Sequence, residues 1–266
     1  MADTRVWAQL VRASLAGQTA YRFSFAADVL SAGLGAALDF VEVFAIFHQV
    51  PSLEGLSFQE VLLVFSFATI GFALADSLVG AIDATNRHVR LGTFDVLLLR
   101  PLAVLPQLAV SELQLRRFSR LATALVPLAV VLPRLDVDWT PARVLMLLLA
   151  PVVSTVVFGA LMVSAGALSF WLVEGTEVTN ALTYGSAYLA EWPTGVLPTV
   201  LARFFTFVVP AAFAGYLPAL AILGRSDPGG LPGWLPWLAP LMAAMAAGVA
   251  WLLWRAGIRH YVGAGG

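Results

Sequence analysis

The sequence has no lysine and no cysteine among its 266 residues, so all fifteen of its basic residues are arginine. The absence of lysine excludes a P-loop lysine, a Schiff base and a lysine general base. The absence of cysteine excludes disulfides, thiolate nucleophiles and cysteine-ligated zinc or iron–sulfur sites. P-loop nucleotide hydrolysis and thiol chemistry are therefore not functions of this chain.

Charged residues are also scarce, at 12% of the chain, whereas hydrophobic residues make up 60%. A water-soluble domain has about 25% charged residues, and a mean hydropathy of +0.86 is too apolar for a soluble surface. A net charge of −1 provides no basic face for nucleic acid. The composition predicts an all-α integral membrane protein with a single membrane domain over residues 1–266.

Apolar runs long enough to cross a bilayer, about 20 residues each, occur about six times. The predicted spans are 24–48, 59–82, 118–135, 144–171, 197–222 and 235–255. The third run is short, and we expect its helix to extend back through Arg116 and Arg120. The fifth holds Pro198, Pro210 and Pro218, which predict a kinked helix or a helix with a re-entrant piece.

The arginines indicate the orientation, because cytoplasmic loops carry the basic excess. Eleven of the fifteen precede the first span, lie between the second and third, or follow the last, so both termini are predicted to be cytoplasmic. Within 1–22, Trp7 and Leu10 share a face that Arg5 and Arg12 avoid. This pattern predicts an amphipathic helix on the membrane surface; the alternative is a simple extension of the first span.

Polar and small residues form a stripe along each of the first two spans. The first stripe contains Asp28, Ser31, Gly35, Asp39 and Glu42, and the second contains Thr69, Asp76 and Asp83 at i, i+7 and i+14. A charge at mid-membrane costs about 3 kcal/mol or more, so such stripes should face protein or a water-filled path. We predict a translocation pathway or subunit contact at Ser31, Gly35, Asp39, Thr69 and Asp76. Asp28, Glu42 and Asp83 are better explained as residues at the membrane interfaces.

The loop between the second and third spans, 83–117, is both apolar and rich in arginine. A helix-like run, Thr93–Leu99, follows Gly92 and stops before Pro101. The run offers apolar side chains for docking and polar ones for contacts, namely Phe94, Leu97, Leu98, Asp95 and Arg100. This composition is typical of a segment that binds a partner protein, or of a helix that rests on lipid headgroups.

No catalytic or metal-binding motif is evident in the sequence. His48, His88 and His260 are far apart and fall at opposite predicted faces, so a shared metal site is not expected and each fits an interfacial position. There is no HExxH motif and no GxSxG elbow. We therefore expect neither an enzyme nor a resident metal or cofactor.

Three stretches resemble type 2 ATP-binding-cassette exporter permeases, in a bacterial branch of that class. They are Arg90–Pro101 (RLGTFDVLLLRP), Phe205–Pro218, and Trp254–Gly266 (WRAGIRHYVGAGG). With six spans, cytoplasmic ends and an N-terminal surface helix, the resemblance covers essentially the whole chain.

The resemblance implies a permease that pairs with a second six-span subunit, either itself or a related protein, in the bacterial inner membrane. Each permease would dock a coupling helix on a separate ATPase, and that ATPase would hold the ATP and magnesium. Carried onto this sequence, the coupling helix is Gly92 to Pro101, with Phe94 and Leu97 packing and Asp95 and Arg100 in polar contacts. The stretch 217–234 would form re-entrant helices at the outer exit. The loop after the fourth span departs from the expected pattern because it lacks basic residues.

Three functions follow in order of support. The first is the permease subunit of an ATP-driven exporter, with an amphiphilic, lipid-like or drug-like substrate. The second is an ion-coupled secondary transporter that uses Asp39 or Asp76 as a relay. The third is a membrane enzyme acting on lipid headgroups, which the scattered histidines and acids argue against.

Overall fold

The computed structural model describes residues 22–111, 115–172 and 176–262. The predicted surface helix at 1–22 lies outside these residues apart from Arg22. The described part is helical, and its only β feature is an isolated bridge between Leu53 and Leu56. The predicted all-α class is confirmed.

Twelve α-helices occur in the described ranges. They are α1 (Arg22–Gln49), α2 (Phe58–Val79), α3 (Thr85–Arg90), α4 (Phe94–Leu98), α5 (Val104–Ser111), α6 (Leu115–Val131), α7 (Pro141–Leu168), α8 (Thr176–Asn180), α9 (Ser186–Ala190), α10 (Thr199–Phe207), α11 (Tyr216–Leu223) and α12 (Ala239–His260). A 3₁₀ turn, Gly80–Ala84, joins α2 to α3, and a π-helical turn, Ala181–Gly185, joins α8 to α9. As predicted, α6 begins ahead of Arg116 and includes Arg120.

Three helical stretches in the described ranges are long and apolar enough to cross a membrane. They are Phe58–Arg90, Pro141–Leu168 and Leu235–His260. The apolar window of the first is 78% buried inside the protein, whereas that of the last is only 22% buried. Helix α2 is therefore the centre of the bundle, and α12 lies at its periphery, where lipid or another subunit would cover it. The full set of six spans stays a prediction.

The main core forms where α2 packs against α6, α7 and α11. Its largest fully buried side chains include Phe67, Phe158 and Tyr216. Helices α2 and α7 approach closely at Gly71, where an added Cβ would overlap the side chain and backbone of Ser154. The small residue at this position therefore sets the separation of the two helices.

The two ends of the bundle differ in chemistry. At one end, here called the α4 end, α4 packs on the ends of α7 and α12 through aromatic rings. At the other, the loop end, Ser57 and Glu60 form a capping box that starts α2. The Arg225 guanidinium lies 2.7 Å from the Glu60 carboxylate and ties the loop before α12 to the same point.

In the predicted fifth span, 197–222, the structure does not form one kinked helix, which is one of the two forms expected there. The chain forms α10 and α11 instead, separated by irregular backbone around Pro210, which has no N–H to continue a helix. Gly215 packs against the backbone oxygens of Val64 and Ala190, at 2.9 and 2.6 Å from the position of a Cβ. Val64 is six residues into α2, so the chain dips about 10 Å from the loop end before it returns.

The dipping segment overlaps the start of the stretch 217–234, whose re-entrant character stays a prediction. It comprises α10 and α11, and the chain is back at the loop end by Arg225, whose guanidinium donates to the Gly55 carbonyl. The helical stretch 176–190, which is part of a loop in the predicted topology, runs between the two ends of the bundle. Its hydropathy is low because threonines, tyrosines and small residues alternate along it.

Candidate functional site

A cavity of about 410 Å³ lies between α1, α2, α6 and the 181–190 segment. Its wall combines aromatic rings, small residues, two carboxylates and one guanidinium. The lining residues are Ser31, Gly35, Asp39, Phe65, Thr69, Phe72, Ala73, Arg120, Thr123, Ala124, Pro127, Tyr184, Ala187, Tyr188 and Glu191. About 300 to 1,000 Å³ is the range of small-molecule sites, so this cavity has room for a compact organic molecule.

Four of the five predicted pathway residues line this cavity. Ser31, Gly35 and Asp39 reach it from α1, and Thr69 reaches it from α2. The Thr69 hydroxyl donates to the Phe65 carbonyl at 2.9 Å, so its hydrogen is used within the helix and its oxygen lone pairs remain. The stripes predicted on two separate spans thus meet around one space.

The fifth residue, Asp76, takes part indirectly. Its side chain is buried, and its carboxylate lies 3.5 Å from the guanidinium of Arg120, which does line the cavity. Forty-four residues separate the two in sequence. The expected polar contact of Asp76 is therefore an ion pair between α2 and α6, at the margin of the cavity.

Two tyrosines that sequence analysis did not single out also face the cavity. The Tyr188 hydroxyl donates to the Glu42 carboxylate at 2.5 Å, and the Tyr184 hydroxyl donates to Asp83 at 3.3 Å. Glu42 and Asp83, expected only as interfacial residues, each accept a bond from the wall of the cavity. The π-helical turn that holds Tyr184 shifts the phase of the helix, and such turns are frequent at functional sites.

Acidic side chains outnumber basic ones around the cavity. Asp39 and Glu191 line it, and Glu42 lies close enough for its charge to act on both. Arg120 is the only cationic side chain among the described lining residues, and Asp76 already neutralises it. Tyr184, Tyr188 and Glu191 lie at intervals of four and three residues, which is the spacing of one face of a helix. This spacing could have identified them as residues of the cavity wall.

At the α4 end, the predicted helix Thr93–Leu99 is present as α4. Phe94 has 0% of its surface exposed, and its ring lies 5.1 Å from that of Phe170 and 4.9 Å from that of Tyr261. Phe170 in turn packs edge-on against Trp254 at 5.6 Å. We call these four rings the aromatic cluster; it fastens α4 to α7 and α12.

This packing bears on the docking face expected for α4, which stays a prediction. Phe94 and Leu97 are buried against the chain's own helices, so in this conformation they are not available to another subunit. The apolar side chains on the outer face are Val96, Leu98 and Leu99, and Leu99 is 86% exposed. The helical spacing was predicted from the sequence, but the direction of each face depends on contacts with distant residues.

The backbone around α4 is held at both ends. Gly92 has a φ of +67° and closes α3 in the left-handed conformation, which a residue with a Cβ adopts at a cost. Beyond α4, the amide of Gln107 donates to the carbonyls of Leu97 and Leu102, at 3.2 and 2.8 Å. The segment from Gly92 to Pro101 is therefore a fixed feature of the surface.

Asp95 and Arg100, the predicted polar contacts, lie in different surroundings. Asp95 is partly buried beside Tyr261, where burial and then the carboxylate raise the pKa of the Tyr261 phenol. Arg100 is exposed just before Pro101. Arg100 can therefore contact another protein directly, whereas Asp95 mainly supports the attachment of α4 to the end of α12.

A protein-family model described as ABC-2 family transporter protein matches residues 34–265. The match covers most of the chain, including α4 and every lining residue of the cavity except Ser31. The chain belongs to the ABC-2 transporter family. No curated protein and no solved structure matches it.

Membership makes this ABC-2 protein a membrane component of an ABC transporter, of the permease type. Permeases of this family work with a separate ABC ATPase, in keeping with the absence of lysine here. Across its described residues, no group of three or more histidine or acidic side chains is arranged to hold a metal ion.

Proposed function

We propose that this chain is the permease subunit of an ATP-driven exporter and forms half of its translocation pathway. A second permease, either another copy or a related six-span protein, would supply the other half. Two copies of a separate ABC ATPase would bind ATP and magnesium. The family match over residues 34–265 carries this proposal.

The segment Gly92–Pro101 would be the coupling helix. Its inner face is anchored by Phe94 in the aromatic cluster, while its outer face offers an apolar strip with Arg100 beside it. A short amphipathic helix that is rigidly attached on one side and exposed on the other is suited to receive force from a docked protein.

Closure of the ATPases would displace α4, and the aromatic cluster would carry the displacement to α7 and α12. Edge-to-face rings in close contact cannot slide independently, because interiors are packed too densely to deform continuously. Helix α2 leads directly into α3 and α4 at the same end and lines the cavity with Phe65 and Thr69. Both routes connect α4 to the proposed pathway.

The proposed topology has six spans with both termini on the cytoplasmic side of the bacterial inner membrane. The α4 end would face the ATPase. The dipping segment, α10 and α11, would then lie at the outer side and narrow the exit of the pathway. The arginine distribution and the packing of Gly215 against α2 support this arrangement.

Affinity purification tests this proposal. The tagged protein is isolated at endogenous level from native membranes in mild detergent, and its partners are identified by mass spectrometry. A stoichiometric P-loop ATPase is expected, and a second six-span protein beside it would identify a heterodimer. Recovery of a stable oligomer of this chain alone, with no ATPase, would contradict the proposal.

The second candidate is an ion-coupled transporter, favoured by the acidic side chains at the cavity and at its margin. In that case transport in vesicles would follow an ion gradient without ATP and would collapse with Asp39→Asn or Asp76→Asn. ATP-dependent transport that is insensitive to ionophores would reject this candidate.

A further inference from the structure

We infer that the 410 Å³ cavity takes a compact organic cation with an apolar body. The inference rests on the proposed function, because it assigns a substrate class to the pathway. It excludes anions and strongly polar solutes such as sugars as the preferred cargo. Three features of the cavity carry it: its acidic side chains, its aromatic wall and the way the acids are held.

The charge balance comes first. Asp39 reaches the cavity from α1, and Glu191 reaches it from the wall that follows α9. Neither carboxylate has a salt bridge to any side chain that the structure describes, whereas the guanidinium at the cavity is bonded to Asp76. Asp39 is exposed and Glu191 is partly buried, and neighbouring acids without a cationic partner among the described residues repel each other. A bound cation would therefore stabilise this arrangement, and a bound anion would worsen it.

The aromatic wall provides the second feature. Phe65, Phe72, Tyr184 and Tyr188 present ring surface to the same space as the two acids. Phe72 and Tyr184 already contact each other edge to face, with ring centroids 5.6 Å apart. Aromatic faces attract cations, most strongly when the cation has lost its water, and they also bury apolar groups. A hydrated inorganic ion would use neither property of these rings.

The third feature is the way the acids are held. Tyr188 bonds to Glu42 and thereby positions one acidic side chain next to the cavity. Within the described part of the chain, Asp39 and Glu191 have no such side-chain donor. The two carboxylates approach from different helices, so a ligand between them would bridge α1 and the segment after α9. Binding would therefore couple two sides of the proposed pathway.

A pair of probes with the same shape and opposite charge tests the inference. The complex as purified from native membranes is placed in lipid nanodiscs, and binding is measured by equilibrium dialysis, with protein-free nanodiscs subtracted. Tetraphenylphosphonium is expected to bind saturably and tetraphenylborate is not. Equal binding of both ions, tighter binding of the borate, or no saturable binding of either would overturn the inference without any variant.

Variants then place the binding at the cavity. Asp39→Asn combined with Glu191→Gln keeps side-chain volume and should weaken phosphonium binding at least tenfold, or about 1.4 kcal/mol. The control, Asp136→Asn with Glu177→Gln, makes the same chemical changes at exposed positions outside the cavity and should leave affinity unchanged. Equal affinity of the two double variants would show that the cation binds elsewhere.

The outcome is separable from that of the proposed function. Selective phosphonium binding to a protein that carries no ATPase would support the cavity assignment and reject the ATP-driven permease. A co-purifying ATPase with no preference for the phosphonium ion would do the reverse. Phosphonium-stimulated ATP hydrolysis that is lost in Asp39→Asn/Glu191→Gln would support both.

Discussion

The two faces of α4 should respond in opposite ways to truncation. Phe94 is fully buried between the rings of Phe170 and Tyr261, so Phe94→Ala removes a core side chain and should destabilise the protein by about 3 to 5 kcal/mol. Leu99 is 86% exposed, so Leu99→Ala should change stability by no more than about 0.5 kcal/mol. Thermal unfolding of the detergent-solubilised permease measures both effects.

The two variants should affect ATPase binding in different ways: Leu99→Ala should lower the affinity directly, whereas Phe94→Ala acts only through the attachment of α4. If Leu99 becomes buried on docking, its loss removes about 1.5 to 3 kcal/mol, which corresponds to a tenfold or greater loss of affinity. Titration of the purified ATPase onto the permease in nanodiscs measures this loss. The assignment of the outer face is refuted if Leu99→Ala binds the ATPase normally, and that of the inner face is refuted if Phe94→Ala unfolds like the parent protein.

Two further pairs of variants test the packing of the bundle. Gly71→Ala should destabilise the protein by about 1 to 3 kcal/mol because the added Cβ overlaps Ser154. The control, Gly248→Ala, lies in open surroundings on α12 and should be neutral or slightly stabilising. Equal melting temperatures of the two variants would contradict the close approach of α2 and α7. Asp76→Asn should cost about 1 to 3 kcal/mol by leaving Arg120 without its buried partner. In a double-mutant cycle, adding Arg120→Gln should recover part of that loss, and strictly additive effects would mean that the pair does not interact in the membrane.

Much of the fold follows from short-range patterns in the sequence. Spans at 59–82, 144–171 and 235–255 were predicted because their apolar runs are long and uninterrupted, and helices α2, α7 and α12 occupy those regions. The helix after Gly92 was predicted because a glycine and a proline bound it. These signals are local, so each can be recognised without knowing what the segment contacts.

Hydropathy did not predict the helices correctly where the polarity of a segment reflects its contacts with the rest of the protein. In the stretch 197–222, residues 209–222 are mostly buried among other helices, whereas α10 exposes Val200, Phe204 and Phe207. Pro210 prevents the stretch from being one helix. The stretch 176–190 is polar for a helix between the two ends, because one side of it faces the cavity with Tyr184 and Tyr188. Hydropathy along the sequence does not distinguish a segment that is buried in lipid from one that is buried in protein.

The stripes on the first two spans were predicted from helical periodicity, and they do converge on one cavity. Periodicity identifies residues that share a face of a single helix, but it carries no information about which other helix that face meets. Arg120 and Glu191 belong to other segments of the bundle, and neither stands out in the sequence. Arg120 is a basic residue near the start of a predicted span, and Glu191 is an acidic residue in a predicted loop. The ion pair of Arg120 with Asp76 and the exposure of Glu191 to the cavity arise only when α2, α6 and the segment after α9 are packed together. It follows that the charge preference of the site, which depends on that pairing, is a property of the assembled bundle and could not be assigned to any one span.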